Sequence, residues 1–96
     1  MTITVCVDME FKPKEIDDVV AGLAAMLPDT RAFDGCLSVH TVQRADDPAH
    51  IRLIERWESR AAQERYAAWR AQSPSGLADA FVTPPAFTYF DELPDV

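Results

Sequence analysis

An α+β fold of element order β-α-β-β-α-β is predicted for this chain, and three observations predict it. Segments at the start, in the middle and near the end alternate apolar and polar residues, the period of a half-buried strand. Two other segments repeat apolar residues three and four apart, the period of an amphipathic helix. Each helical segment falls between two strand segments, so each serves as a crossover.

Over Thr2 to Glu10, Ile3, Val5, Val7 and Met9 alternate with Thr2, Thr4, Cys6 and Asp8, predicting the first strand. Pro13 suits a first helical turn, and Glu15, Asp17 and Asp18 suit the positive end of the helix dipole. Ile16, Val19, Val20, Leu23, Met26 and Leu27 predict a helix over Lys14 to Leu27, which Pro28 should end. Gly35 marks a turn, and Cys36 to Gln43 reads as a strand with Leu37 and Val39 on its apolar face. Arg44-Ala45-Asp46-Asp47-Pro48-Ala49 reads as a polar hairpin loop longer than the minimal two residues, leading to a strand over Ile51 to Trp57.

Ser59 or Glu58 should open the second helix, which runs to about Gln72 with Ala62, Tyr66 and Trp69 facing inward. Ser73-Pro74-Ser75-Gly76 should break it, and Leu77 to Val82 reads as a short helical turn. Pro84-Pro85 enters a last strand, Phe87 to Asp91, with Phe87 and Tyr89 on one face. With right-handed crossovers, this order packs as a ferredoxin-like βαββαβ unit: a four-stranded antiparallel sheet with both helices on one face. The other sheet face would carry Thr4, Cys6, Ser38, His40, Ile54 and Phe90 beside Arg52 and Arg56. Such a mixture fits a wet interface between two copies better than solvent or a core, so a homodimer is expected.

The 96 residues make a single domain, 1–96, without repeats or low-complexity tracts. A net charge of −7, with seven arginines scattered among acids, argues against nucleic acid and anionic membranes as partners. No apolar run approaches a membrane span, and the absence of a signal-peptide pattern makes the cytoplasm the expected location. Cys6 and Cys36 read as buried reduced thiols. His40 and His50 lack metal-ligand spacing, and three glycines allow neither a dinucleotide fingerprint nor a P-loop. No metal or cofactor is therefore expected.

The segment from Glu55 to Arg70 carries the candidate chemistry. Glu55 shares the inward side of its strand with Trp57, and a glutamate facing a core must be paired or hydrogen-bonded. It is either one half of an ion pair with Arg31 or Arg70, or a pocket carboxylate able to act as a base. Trp57, Tyr66 and Trp69 either pack as core or wall a cavity for an aromatic ligand.

Ile3-Thr4-Val5, Lys12-Pro13, Thr30 to Cys36, Glu55-Arg56-Trp57-Glu58-Ser59 and Tyr66-Ala67-Ala68-Trp69-Arg70 resemble the antibiotic biosynthesis monooxygenase domain, and within it the quinol monooxygenase subgroup. The resemblance runs from Thr2 to about Asp91. It implies a dimeric α+β barrel with a ligand pocket between each sheet and its helices. It also implies oxidation of a phenol or quinol by O2 without metal or flavin, since a deprotonated phenol can itself pass an electron to oxygen. Glu55 as base, Tyr66 and Arg70 as its catalytic companions, and Trp57, Tyr66, Trp69 and Arg31 around a small aromatic substrate are the expected site. The rival expectation is a binding or accessory dimer without turnover. The chain departs from the family pattern in having no asparagine, and in placing Tyr66 where several relatives carry a histidine.

Overall fold

In the computed structural model, which describes residues 1–73 and 76–96, the chain runs β1 (Ile3–Glu10), α1 (Ile16–Ala32), β2 (Cys36–Arg44), β3 (Asp47–Trp57), α2 (Arg60–Gln72) and β4 (Ala86–Asp91). Single 3₁₀ turns lie at Pro13–Glu15 and Ala78–Ala80. The strands form one antiparallel sheet in the order β2-β3-β1-β4, the ferredoxin-like arrangement. Pro74 and Ser75, the middle of the expected helix breaker, lie outside the described residues.

Register sorts the side chains onto two faces. Val5 lies opposite Glu55 and Tyr89, and Val7 opposite Leu53 and Phe87. These residues point to the helices. Thr4 lies opposite Arg56 and Phe90, and Cys6 opposite Ile54 and Thr88, so they point away. Val19, Leu23, Leu27 and Thr30 of α1, and Ala62, Gln63 and Tyr66 of α2, are buried over the inner face. They close a core with Ile3, Val5, Val7, Met9, Val39, Ile51, Leu53 and Trp57. Burial of such side chains, about 1.5–3 kcal/mol each when complete, is the main stabilising term. The Ser59 hydroxyl caps α2 by accepting from the Ala62 N–H at 3.1 Å.

Gly35 is the one turn residue that packing itself requires. Its φ is +92°, and a Cβ there would stand 2.5 Å from the Cβ of Ala62. The Gly35 carbonyl also accepts from the Glu58 N–H at 2.8 Å, tying the end of α1 to the start of α2. At the opposite end, Phe11 stacks on Phe81 with centroids 4.8 Å apart. Hydrogen bonds from Lys12 N–H to the Ala80 carbonyl and from Val82 N–H to the Glu10 carbonyl fasten the segment before β4. β4 itself is an edge strand, and every residue in it is exposed.

The structure corrects several local expectations. Pro28 does not end α1, which continues to Ala32. Pro28 and Ala24 are both exposed, so the carbonyl that loses its helical partner can turn to water, while buried Leu27 and Thr30 hold the last turn down. Val20 is 48% exposed rather than core. Leu37 is also exposed, because the β2 ladder shifts register between Cys36 and Ser38 and turns the extra residue outward. The hairpin turn is only Ala45-Asp46, with Arg44 paired to Asp47 and an irregular ladder absorbing the residues beside Pro48. Cys6 and Cys36 are free but only half-buried. Among the described residues, no helix is long and apolar enough to cross a membrane.

Candidate functional site

Glu55 and Trp57 share the inner face of β3 because they are two residues apart. Trp57 is fully buried, and its indole N–H donates to Glu55 Oε1 at 3.0 Å. Glu55 is 4% exposed. Burial raises its carboxyl above the usual glutamate range, against the opposing pull of the indole hydrogen bond and the Arg70 charge. The expected ion pair is thus replaced by an indole–carboxylate contact. Arg31 instead donates from Nε and Nη2 to the Val39 carbonyl at 3.3 and 3.1 Å.

Arg70 is held by a second network. Its Nε donates to Tyr66 Oη at 3.0 Å and its Nη2 to Thr30 Oγ1 at 3.2 Å, while the two hydroxyls lie 2.7 Å apart. Tyr66 and Arg70 meet because they are four apart on α2. Thr30 joins them only because α1 passes through Pro28. Phe33 braces the group, with ring centroids 5.3 Å from Tyr66, 5.5 Å from Trp69 and 6.3 Å from Trp57.

Two adjoining cavities open on this constellation, both lined by Glu55, Tyr66, Arg70 and Phe87. One, of about 210 Å³, runs under α1 along Val7, Met9, Leu23 and Leu53. The other, of about 200 Å³, lies beside α2 along Gln63, Ala67 and Ala71. The small side chains at 67 and 71 leave that space, and Phe87 faces it from the uncovered edge strand. The combination is an apolar cleft whose wall holds one buried carboxyl, one guanidinium and the Tyr66 ring, the make-up of a site for a small, largely apolar molecule.

Of the residues expected to surround a ligand, Glu55, Tyr66 and Arg70 are brought together on these cavities. Trp57 is not on the wall. It packs as core, its ring 5.1 Å from that of Tyr66, and positions Glu55 from behind. Trp69 is 37% exposed and covered on one side by the Arg70 guanidinium at 4.6 Å, outside the cleft. The helix period carries residue 69 past the buried arc that Ala62, Gln63 and Tyr66 define. Arg31 is likewise elsewhere.

Sequence reasoning missed Thr30 and Gln63. Thr30 continues the row Val19, Leu23, Leu27, and Gln63 lies one turn before Tyr66 and Ala67; each was legible as the next position on a buried stripe.

A larger hollow of about 390 Å³ lies on the outer sheet face near the hairpin, lined by Val42, Gln43, Arg44, His50 and Arg52. Its charges are already matched: Asp8 accepts from Arg52 at 2.7 Å and lies 3.1 Å from His50, and Arg44 pairs with Asp46. These contacts, Arg52 first, hold the Asp8 carboxyl below the usual range. Among the described residues, no three His, Cys, Asp or Glu side chains gather as a metal site.

Known structures share this architecture. A crystal structure described as an antibiotic biosynthesis monooxygenase superposes with a TM-score of 0.85 at 23% identity, over 96% of this chain and 99% of its own. A Mycobacterium tuberculosis protein reaches 0.77 at 29% identity, over 97% and 96%. A Pseudomonas aeruginosa protein reaches 0.81 at 22%, over 96% and 94%. No curated protein matches the chain. The family model for antibiotic biosynthesis monooxygenases matches residues 2–73, from the first strand to the end of α2, and the chain belongs to that family.

Proposed function

We propose that this protein binds a phenol or quinol in the cleft between its sheet and α2 and oxidises it with O2 without a bound cofactor. The observation that carries this reading is Glu55: a buried carboxyl, oriented by the Trp57 indole, on the wall of an apolar cavity. A carboxylate whose proton affinity is raised by burial is a stronger base toward a phenolic O–H than an exposed one. Arg70 lies close enough to Glu55 to favour its charged form and would stabilise the phenolate, while Tyr66 and Thr30 position Arg70. The phenolate gives one electron to O2, and the resulting radical pair joins at a ring carbon bearing hydrogen. Loss of water from that hydroperoxide leaves a new carbonyl. One oxygen atom stays on the ring and the other departs as water with two substrate hydrogens.

The protein would work as a homodimer, with the outer sheet face buried between copies. Cys6, Ile54 and Phe90 on that face supply apolar area, and a stable contact needs on the order of 1,000 Å² or more. Sedimentation as a monomer at micromolar concentration would refute the assembly.

For the reaction, oxygen uptake and mass spectrometry with labelled O2 are the test, using naphthohydroquinone and anthrone as probes. One labelled atom in the product supports the proposal, and absence of uptake with every probe that binds overturns it. The second reading is a binding or accessory dimer without turnover. It is favoured by the Tyr66 hydroxyl, which is already engaged by Thr30 and Arg70 rather than free to meet a ligand. Binding without oxygen uptake would select it.

A further inference from the structure

The two cavities of the cleft meet at one wall and differ in what lies beyond it. Glu55, Tyr66, Arg70 and Phe87 line both. The lobe beside α2 continues along Ala67 and Ala71, which are exposed, so this lobe is the mouth. The lobe under α1 continues along apolar side chains alone. Val7, Met9 and Leu53, all buried, form its floor, and half-buried Met26, Leu77 and Phe81 form its rim.

This inner lobe is built into the fold. Phe81 is stacked on buried Phe11, and the hydrogen bonds of Lys12 and Val82 fasten the segment around it. On the other side, a Cβ at Gly22 would stand 3.0 Å from Leu77 Cδ2, so a glycine within α1 lets Leu77 close against the helix. About 210 Å³ would hold roughly seven water-sized groups at ~30 Å³ each, yet away from the shared wall its side chains give water nothing to bond. Such a space favours methyl and methylene groups. Two methionines among its walls, unbranched and adaptable, suit a flexible chain.

A phenolic hydroxyl held at Glu55 places its ring in the lobe beside α2, between the small residues of the helix and the Phe87 ring. The ring carbon next to that hydroxyl then lies at the junction, where a substituent enters the lobe under α1 directly. We infer that the ligand is a phenol or quinol carrying an aliphatic chain on the carbon beside a hydroxyl, with about six or seven carbons of that chain housed under α1. The hydroxyl meets the polar wall, and the chain supplies the burial that a bare ring leaves unused. This inference rests on the proposed phenol site and adds to it the part of the ligand that occupies the second lobe.

The test is calorimetric titration of the full-length protein, under anaerobic conditions so that turnover does not intervene, with phenol and with 2-methyl-, 2-propyl-, 2-hexyl- and 2-nonylphenol. Affinity should rise roughly threefold per methylene, the scale of a CH2 group leaving water, and level off near six or seven carbons. The 4-alkylphenols, whose chain leaves from the opposite edge of the ring, should gain much less per methylene. Met26→Trp, which fills the rim of the inner lobe, should flatten the 2-alkyl series. Met26→Phe serves the same purpose should the tryptophan variant fail to give a cooperative melt. A wild type that gains nothing with chain length, or gains equally from both isomers, overturns the inference, as does an unchanged slope in the Met26 variant; in each case phenol binding leaves the proposed site standing. Binding of neither phenol nor any alkylphenol overturns both.

Discussion

Tyr66→Phe removes one hydroxyl group and leaves the ring, so its cost can be worked from the contacts. Tyr66 Oη lies 2.7 Å from Thr30 Oγ1, where both residues are buried, and accepts from Arg70 Nε at 3.0 Å. A buried hydrogen bond between neutral groups contributes about 1 kcal/mol net. The bond from Arg70 is charge-assisted, but Arg70 is half-exposed and water can replace part of it, so it adds another ~1 kcal/mol. Thr30 Oγ1 keeps its contact with Arg70 Nη2 at 3.2 Å, so no buried orphan is created. The expected loss is about 2 kcal/mol, which for a chain of this length lowers Tm by roughly 10 °C. Urea unfolding followed by far-ultraviolet circular dichroism reads it, with an unchanged slope against denaturant. A cycle with Thr30→Val should return a coupling of about 1 kcal/mol, because the two residues share one bond. A Tyr66→Phe protein within about 0.3 kcal/mol of wild type, or two substitutions that simply add, would refute this account of the network.

Glu55→Gln should stabilise the protein at neutral pH and abolish pH-dependent turnover. Burial lifts the folded-state carboxyl above its ordinary 4.5, so its stability contribution is complete below that value and lost as pH rises through the raised one. The glutamine variant escapes that loss. Urea midpoints of the two proteins should therefore converge in acid, separate as pH rises from 4.5 through the raised value and stay apart by a constant gap beyond it, and oxygen uptake by the variant should fall by ~100-fold or more. Gly35→Ala should cost at least roughly 2 kcal/mol, from the left-handed backbone and the collision with Ala62, measured as a lowered urea midpoint. Pro28→Ala should raise stability by about 1–2 kcal/mol, since the new N–H can reach the Ala24 carbonyl; a destabilised variant would show that the proline is needed where it stands.

Element type and order were legible in the sequence because each rests on a short period. The alternation of Ile3, Val5, Val7 and Met9 and the repeat of Leu23 and Leu27 need no partner to be read, and neither does Ser59 as a helix cap. Glu55 stood out for the same reason: a charged residue on an apolar face is a local contradiction. What that carboxyl touches was not local. Its partner is decided by how β3 meets the two helices, and the geometry chose the Trp57 indole over either arginine. Pro28 illustrates the limit in the other direction. Its local preference ends a helix, and burial of Leu27 and Thr30 on either side overrides it. Leu37 was misplaced because a bulge shifts the strand period by one residue, which no pattern within β2 announces. Thr30, Tyr66 and Arg70 are separated by 36 and 40 positions across their hydrogen bonds, and Gln63 gains meaning only from the cavity beside it. Periodicity sets which side of an element a residue lies on. Only the packing of one element against another decides which of those side chains meet.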